Sequence, residues 1–470
     1  MPIATFSGLA SGIDSKSLIQ ALIEARQKPN DIRKKNISNL EAENDSLEEL
    51  NTKILALNDL VDKFRTANAG GVSKKASSSD TTIATASVSP SANSGTVSVT
   101  VNSVASTGTA SFDDTYATTS TALAPNTSGT QTVEILVGTG SNQKSVSTSI
   151  TSSTTVQQFV DAINSDSDAS GNLTASLVNV GTTSTPSYRV VFSSLQQGTD
   201  LGTIAFNIPS GAAGFGGSTN LQNRTVNQAT DASFNVSGIT TAITRSTNTV
   251  SDVLSGVTFN LAKAGTTTLT ITDDSDTTAK KMKEIVDSYN DIVKFINKNN
   301  TITDIANSKD LEKTYGSLAK SSIDEDFLSQ FRSTFSATSA SSGTTVTSFA
   351  ELGIATNRDG TLTFDETKFK ENVGADPTGA QEVLRNFADD TAGVSGFMYQ
   401  FTSYLGFIDN SQGANSTEIE NLNDSISRLD RYTDKLRQNL EGQFSRLESL
   451  TAQLQSTQNA LSGVLAGLGG

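Results

Sequence analysis

The sequence predicts an α+β multidomain chain, with terminal coiled-coil helices and a helical stalk domain carrying inserted β-rich head domains. Three observations predict it. Apolar residues recur at heptad spacing near both ends. The middle alternates apolar and polar residues with period two. Charge is also unevenly spread: residues 71–275 carry 12 acidic and 7 basic side chains, about 9% of that stretch, against about 24% elsewhere. Between residues 101 and 150, 20 of 50 positions are Ser or Thr. The ends therefore read as helix, and the middle as β-structure with polar loops.

At the N-terminus, Asp14 or Ser15 is placed to cap a short amphipathic helix with Leu18, Ile19, Leu22 and Ile23 on one face. Pro29 is expected to end or kink it near Lys28. A second seam follows through Leu40, Glu43, Leu47, Leu50, Ile54, Leu57, Val61 and Phe64, polar only at Glu43. Strand alternation appears at 96–101 and 268–271, and strand-like runs at 132–137, 173–178 and 188–192. Among these, Val156, Phe159, Val160 and Ile163 trace a short helix. After Asp273, a longer helix face runs through Met282, Ile285, Val286, Tyr289, Ile292, Val293 and Ile296. The C-terminal seam is the longest. Its a positions are Ile419, Ile426, Thr433, Leu440, Leu447, Leu454 and Leu461, and its d positions Leu422, Leu429, Leu436, Gln443, Leu450 and Thr457. Gly442 costs about 1 kcal/mol relative to Ala within it and is a candidate bend. Helical stripes are commonly intramolecular core. Two this long, at opposite ends of one chain, pack on each other, on neighbouring subunits, or both.

Composition removes much chemistry. With no Cys and no His, the chain has no Ser-His-Asp triad, cysteine nucleophile, haem ligation through those residues or structural zinc site. A formal net charge of −15 disfavours nucleic acid and anionic membranes as partners. No apolar run reaches the ~20 residues of a membrane span, so no membrane insertion is expected. The N-terminus lacks the basic region and apolar core of a cleaved signal peptide.

The candidate sites resolve into structural readings. Asn357, Asp359, Gly360 and Glu366 match part of an EF-hand loop, but Ala355 would occupy the first ligand position. A hairpin with an Asp-Gly turn is the expectation. The run Asp273, Asp274, Ser275 and Asp276 reads as a helix cap. Gly214, Phe215, Gly216 and Gly217 read as a loop. The sequons at Asn126, Asn172 and Asn223 are what a Ser/Thr-rich chain yields by chance. No carboxylate pair stands out, so no catalytic residue, cofactor or metal is expected and the chain is read as non-enzymatic.

The start, Gly8, Leu9, Ala10, Ser11, Gly12, Ile13 and Asp14 followed by Leu18, Ile19, Leu22 and Pro29, resembles the N-terminal signature of the flagellar filament cap, or hook-associated protein 2, family. Later segments are similar to that family in the same order. They are 84–101 with Gly95; Asp231, Phe234, Val236 and Gly238 through Val250 to Gly256 and Phe259; Val286, Tyr289 and Asn290; and Phe349, Leu352, Gly353 and Ile354 through Leu362 and Phe364 to Asp365. Ala162, Ile163 and Asn164 resemble a module of flagellins and hook-associated proteins.

The resemblance implies a homo-oligomeric cap at the extracellular tip of the bacterial flagellar filament that promotes flagellin folding and insertion. It also implies export without a cleaved signal peptide and adhesion as a further role of the head. Implied partners are further copies of the chain, flagellin, hook-associated junction proteins and an export chaperone on the C-terminal helix. The expected division is a leg helix at 1–40, a discontinuous helical stalk domain at 41–75 and 277–416, and a β head domain at 76–104 and 229–276. A variable β domain with the flagellin-like module is expected at 105–228, and a coiled-coil leg at 417–470. Expected oligomer or filament contacts are Leu18, Leu22, Leu40, Leu47, Leu50, Ile54, Leu57, Ile419, Leu422, Ile426, Leu429, Leu436, Leu440, Leu447, Leu450 and Leu454. With their seams unpartnered, the legs are expected to order only on assembly. A flagellin-like or hook–filament junction protein and a secreted adhesin are the alternatives.

Overall fold

A computed structural model describes residues 14–207, 224–304, 313–341 and 343–468. The glycine run 214–217, Asn223 and the signature residues 8–13 lie outside the described residues. The chain divides into two compact units, Ala69–Thr278 and the combination of Met1–Asn68 with Ala279–Gly470.

The helical unit opens with α1 (Ser15–Asp62), whose first turn is capped by Asp14 Oδ1 accepting from the Ser17 N–H at 3.1 Å. Pro29 does not end this helix. Its ring lies on the exposed side, while Ile23 and Asn30 on either side of it are buried. Proline removes one intrahelical donor, and packing on the opposite face outweighs that loss. The 40/41 boundary therefore falls inside a continuous helix.

The β unit contains β1 (Lys74–Ser78), β2 (Ala84–Val88), β3 (Gly95–Ser103), β4 (Thr107–Phe112), β5 (Gln131–Val137), β6 (Lys144–Ile150) and α2 (Val156–Ser165). It continues with β7 (Leu173–Asn179), β8 (Tyr188–Gln197), α3 (Thr199–Gly202), β9 (Ile204–Asn207) and β10 (Arg224–Asn227). The remaining strands are β11 (Ala232–Val236), β12 (Ile243–Arg245), β13 (Thr249–Leu254), β14 (Val257–Leu261) and β15 (Gly265–Asp273).

An antiparallel sheet of order β1-β15-β3-β11-β12 and a smaller one, β13-β14-β2, enclose a core that includes Val99, Phe234, Phe259, Leu269 and Ile271. Phe234 and Phe259 meet at 6.1 Å between ring centroids. The period-two pattern explains the sheet: Leu269 and Ile271 point inward, and Thr266, Thr268, Thr270 and Thr272 outward. A second core, with Phe112, Ile135, Phe159 and Phe192, lies among β10-β4-β8-β7, β6-β5-β9 and α2. Thr155 and Gln158 form a reciprocal capping box at the start of α2. At its end, Asn164 bonds both backbone groups of Ala175 at 2.9 and 2.8 Å. That amide occupies the free edge of β7, a position open to unwanted strand pairing.

The chain then forms α4 (Ser275–Asn299), with Asp274 accepting from the Thr277 N–H and hydroxyl at 3.1 and 2.7 Å. The acidic run before it thus includes a helix cap. Next come β16 (Ile302–Asp304), β17 (Lys313–Tyr315), α5 (Ile323–Ala337), β18 (Ile354–Thr356), β19 (Leu362–Phe364), α6 (Glu366–Ala375), α7 (Pro377–Thr391), α8 (Met398–Thr402) and α9 (Phe407–Leu468). The Asp-Gly segment forms the β18–β19 hairpin, in which Asp359 Oδ1 accepts from the Thr361 N–H and hydroxyl. Gly360 there takes φ +86°, a left-handed conformation that favours glycine. Asn290 of α4 fastens the hairpin by exchanging bonds with both backbone groups of Leu362, at 2.8 and 2.7 Å. Tyr289 donates to the Gly360 carbonyl and stacks on Phe331 at 4.1 Å, at one end of a run of rings through Phe335, Phe349 and Phe387.

Asp324, in the first turn of α5, is fully buried, and among the described residues neither carboxylate oxygen has a partner in good hydrogen-bond geometry, its own and the Glu325 N–H lying nearby but poorly aligned. Burial pushes its carboxyl up to about 6. The backbone N–H groups of Asp324 and Glu325 offset this only in part, and the charges of Glu325 and Asp326 add to it. Because the folded form holds its proton more tightly than the unfolded chain, this group lowers stability as pH rises from about 4 through about 6. Asp324→Asn should therefore stabilise the protein at pH 7.5 by roughly 1–3 kcal/mol, with the gain vanishing near pH 4. Thermal melts across that range check both the size and the slope.

Candidate functional site

The two seam helices of the helical unit pack on each other. Asn415 Nδ2 donates to Asn44 Oδ1 at 2.9 Å, and Gln412 Nε2 to the Asn44 carbonyl at 3.1 Å. Further along, Asn30 Nδ2 donates to Asp430 Oδ1 at 2.9 Å and to the Ile426 carbonyl at 3.4 Å. The α9 partner rises in number as the α1 partner falls, so the pair is antiparallel. Leu40, Ile419, Leu422, Ile426, Leu429, Leu436 and Leu440 are half-buried along the two helices.

Polar residues sit inside this seam. Asn30 is 2% exposed, and its Oδ1 accepts from the Arg33 guanidinium at 2.9 Å. Thr433, also buried, returns its hydroxyl to the Leu429 and Asp430 carbonyls of its own helix. A buried amide with one set of partners penalises every slipped register.

The expected contact residues separate into three groups. Leu47, Leu50, Ile54 and Leu57 are 0% exposed, in the unit's own core. They pack inward because this stretch of α1 also lies against α7 and α8. The second group is the half-buried set, already partnered within the chain. In this group the two helices face each other as far as Leu440.

The third group is exposed: Leu18, Leu22, Leu447, Leu450 and Leu454, with α9 values rising from 47% at Leu447 to 63% at Leu454. Equal rise per residue in both helices places Ser15, where α1 begins, opposite about residue 443 of α9. Gly442 lies at that point, and a Cβ built on it would meet nothing within 4 Å. The helix runs through Gly442 unbroken, so the glycine does not interrupt it. Leu461, Val464 and Leu465 extend the exposed stripe, and no charged residue follows Glu448.

Sequence reasoning missed one surface. Val394, Tyr399, Tyr404, Leu405 and Phe407 are exposed around the turn into α9, Tyr404 by 87%. Leu405 holds φ +61°, rare for a leucine. The Asp409 carboxylate accepts its N–H at 2.9 Å, and the Asn410 amide donates to its carbonyl at 2.7 Å. The aromatic density of 397–407 was the available signal, but its spacing does not separate the exposed rings from the buried Phe397 and Phe401.

Antiparallel terminal helices with β domains spliced between them define a structural class of protein. Two sequence-family models match: flagellar hook-associated protein 2 N-terminus over residues 11–108, and flagellar hook-associated protein 2 C-terminus over 229–462. The A-type flagellar hook-associated protein 2 of Pseudomonas aeruginosa is 27% identical over 99% of this chain and 98% of its own length. That of Aeromonas caviae is 24% identical over 97% of both chains. The fold is similar to the crystal structure of the Escherichia coli flagellar cap protein D1-D2-D3 domains, with TM-score 0.57, 22% identity, and coverage of 80% of this chain and 99% of that one. The chain belongs to the flagellar hook-associated protein 2 family, structural proteins of the flagellum. That membership assigns it a role in the cap at the filament tip.

Replacing Asn30 with Ala leaves Asp430 and the Ile426 carbonyl without this donor. Asn30→Ala should cost roughly 1–3 kcal/mol in urea unfolding, whereas Lys28→Ala on the exposed face should change stability by less than about 0.5 kcal/mol.

Proposed function

We propose that the chain is a non-enzymatic assembly factor, a homo-oligomeric cap that promotes flagellin folding and insertion at the distal end of the filament. The observation that carries this reading is the exposed leucine stripe on α9 beyond Gly442, free of charged residues after Glu448 and adjoining a stretch that is paired and polar-pinned. The paired stretch is a rigid support, and the exposed stretch with Leu18 and Leu22 is the face offered to flagellin and to hook-associated junction proteins.

Burying one leucine contributes about 1.5–3 kcal/mol. A few such contacts per subunit hold a cap in place while any one leg can still detach and re-engage as subunits are added. The same stripe suits an export chaperone before assembly, since a chain bearing exposed leucines needs cover. The Tyr404 and Leu405 surface is a second apolar face for subunit contacts.

Leu447→Asp combined with Leu454→Asp tests this reading. Both side chains are exposed, so helix content and melting temperature should stay unchanged while filament growth falls at least tenfold by electron microscopy. Export is measured in the same cultures to separate chaperone failure from capping failure. Filaments of normal length from the exported variant would overturn the reading.

A further inference from the structure

Three turns of the β unit share one hydroxyl pattern. Residues 118–121 read Thr-Thr-Ser-Thr, 151–154 Thr-Ser-Ser-Thr and 182–185 Thr-Thr-Ser-Thr. In each, the first hydroxyl bonds the fourth, at 3.0, 3.2 and 2.7 Å, and the third, at 3.1, 3.1 and 3.2 Å.

The fold joins two of them directly and ties the strand leading from the third to the segment leading into the first. Val156 N–H donates to the Thr121 carbonyl, and Leu123 N–H to the Thr154 carbonyl, joining the first two turns. Tyr116 and Tyr188 exchange both backbone bonds, two residues before the first turn and three after the third. Residues 182–185 are all exposed, as are Thr118, Ser120, Ser152 and Ser153.

This region has no charge of its own. No charged residue lies between Asp114 and Glu134, between Lys144 and Asp161, or between Asp168 and Arg189. Val178 and Val180 are exposed beside it. Exposed surfaces ordinarily stay soluble through interspersed charges. Pro125 and Pro186 lie just after two of the turns and donate no ladder hydrogen bond. Dense Ser and Thr with proline, outside the sheet ladder, is the composition of O-glycosylated segments.

We propose that these turns are acceptor sites for O-linked sugars. A threonine or serine Oγ attacks the anomeric carbon of a nucleotide-activated sugar, forming the new C–O bond. The bond from that carbon to the phosphate oxygen breaks, and the nucleoside phosphate leaves with its electron pair. The hydroxyl proton passes to a base on a separate transferase, since the turns themselves contain only hydroxyl side chains. The hydroxyls of Thr266, Thr268, Thr270 and Thr272 are poorer acceptors. They stand on β15, where Thr266 and Thr268 are paired by β3, Thr272 by β1 and Thr270 by both, and cannot leave the ladder to enter an active site.

The test is the intact mass of the chain purified from the flagellated cells that make it, compared with the same chain produced in a cytosol lacking such transferases. The native chain should be heavier by whole sugar residues, with fragmentation placing them on the three turns. A variant carrying Thr118→Ala, Ser120→Ala, Ser153→Ala, Thr182→Ala, Ser184→Ala and Thr185→Ala should lose most of that mass. Its unmodified form should melt within a few degrees of the parent, separating lost acceptors from lost fold. A native mass equal to that of the bare sequence, phosphate in place of sugar, or sugars confined to other residues would each overturn the proposal.

Discussion

Ile19, Ile23, Leu40 and their neighbours on α1 can leave water only if a segment some four hundred residues away returns to cover them, and the organisation of the helical unit follows from that constraint. The return is entropically affordable because loop-closure cost grows only with the logarithm of loop length. A compact β unit within the loop lowers the effective length further. Apolar burial supplies the attraction, but leucine on leucine tolerates slippage by a heptad. Asn30 with Asp430 and Asn44 with Asn415 select one alignment from those alternatives.

Alignment has a consequence at the far end. Because α1 begins at Ser15 and the register is set, the seam on α9 changes character near Gly442. Up to Leu440 the leucines stabilise this chain; from Leu447 they are exposed. One helix thereby joins an internal support to an apolar surface without a loop. The β unit uses other physics, with antiparallel sheets around two aromatic cores and surfaces of hydroxyls rather than charges. Its stability depends on alternation within strands and not on the helical seam.

Much of this was legible in the residues. Heptads located both long helices, period-two runs located β3 and β15, and Asp14 and Asp274 served as caps where their spacing suggested. Pairing was not legible, because a stripe specifies that a face is buried and not what buries it. Leu50 and Leu450 occupy similar patterns, yet one is 0% exposed and the other 60%. Pro29 misled because its local penalty is real but smaller than the packing on the opposite face. The Tyr404 and Leu405 surface was missed because its aromatics share their spacing with the buried Phe397 and Phe401, so the pattern does not mark exposure.

The antiparallel register can be measured directly, since a chain without cysteine accepts engineered pairs free of background. Asn44→Cys with Asn415→Cys should form an intramolecular disulfide rapidly under mild oxidation of dilute monomer, while Asn44→Cys with Asp430→Cys should not. Equal cross-linking of both pairs, or none from the first, would contradict a fixed pairing of the terminal helices.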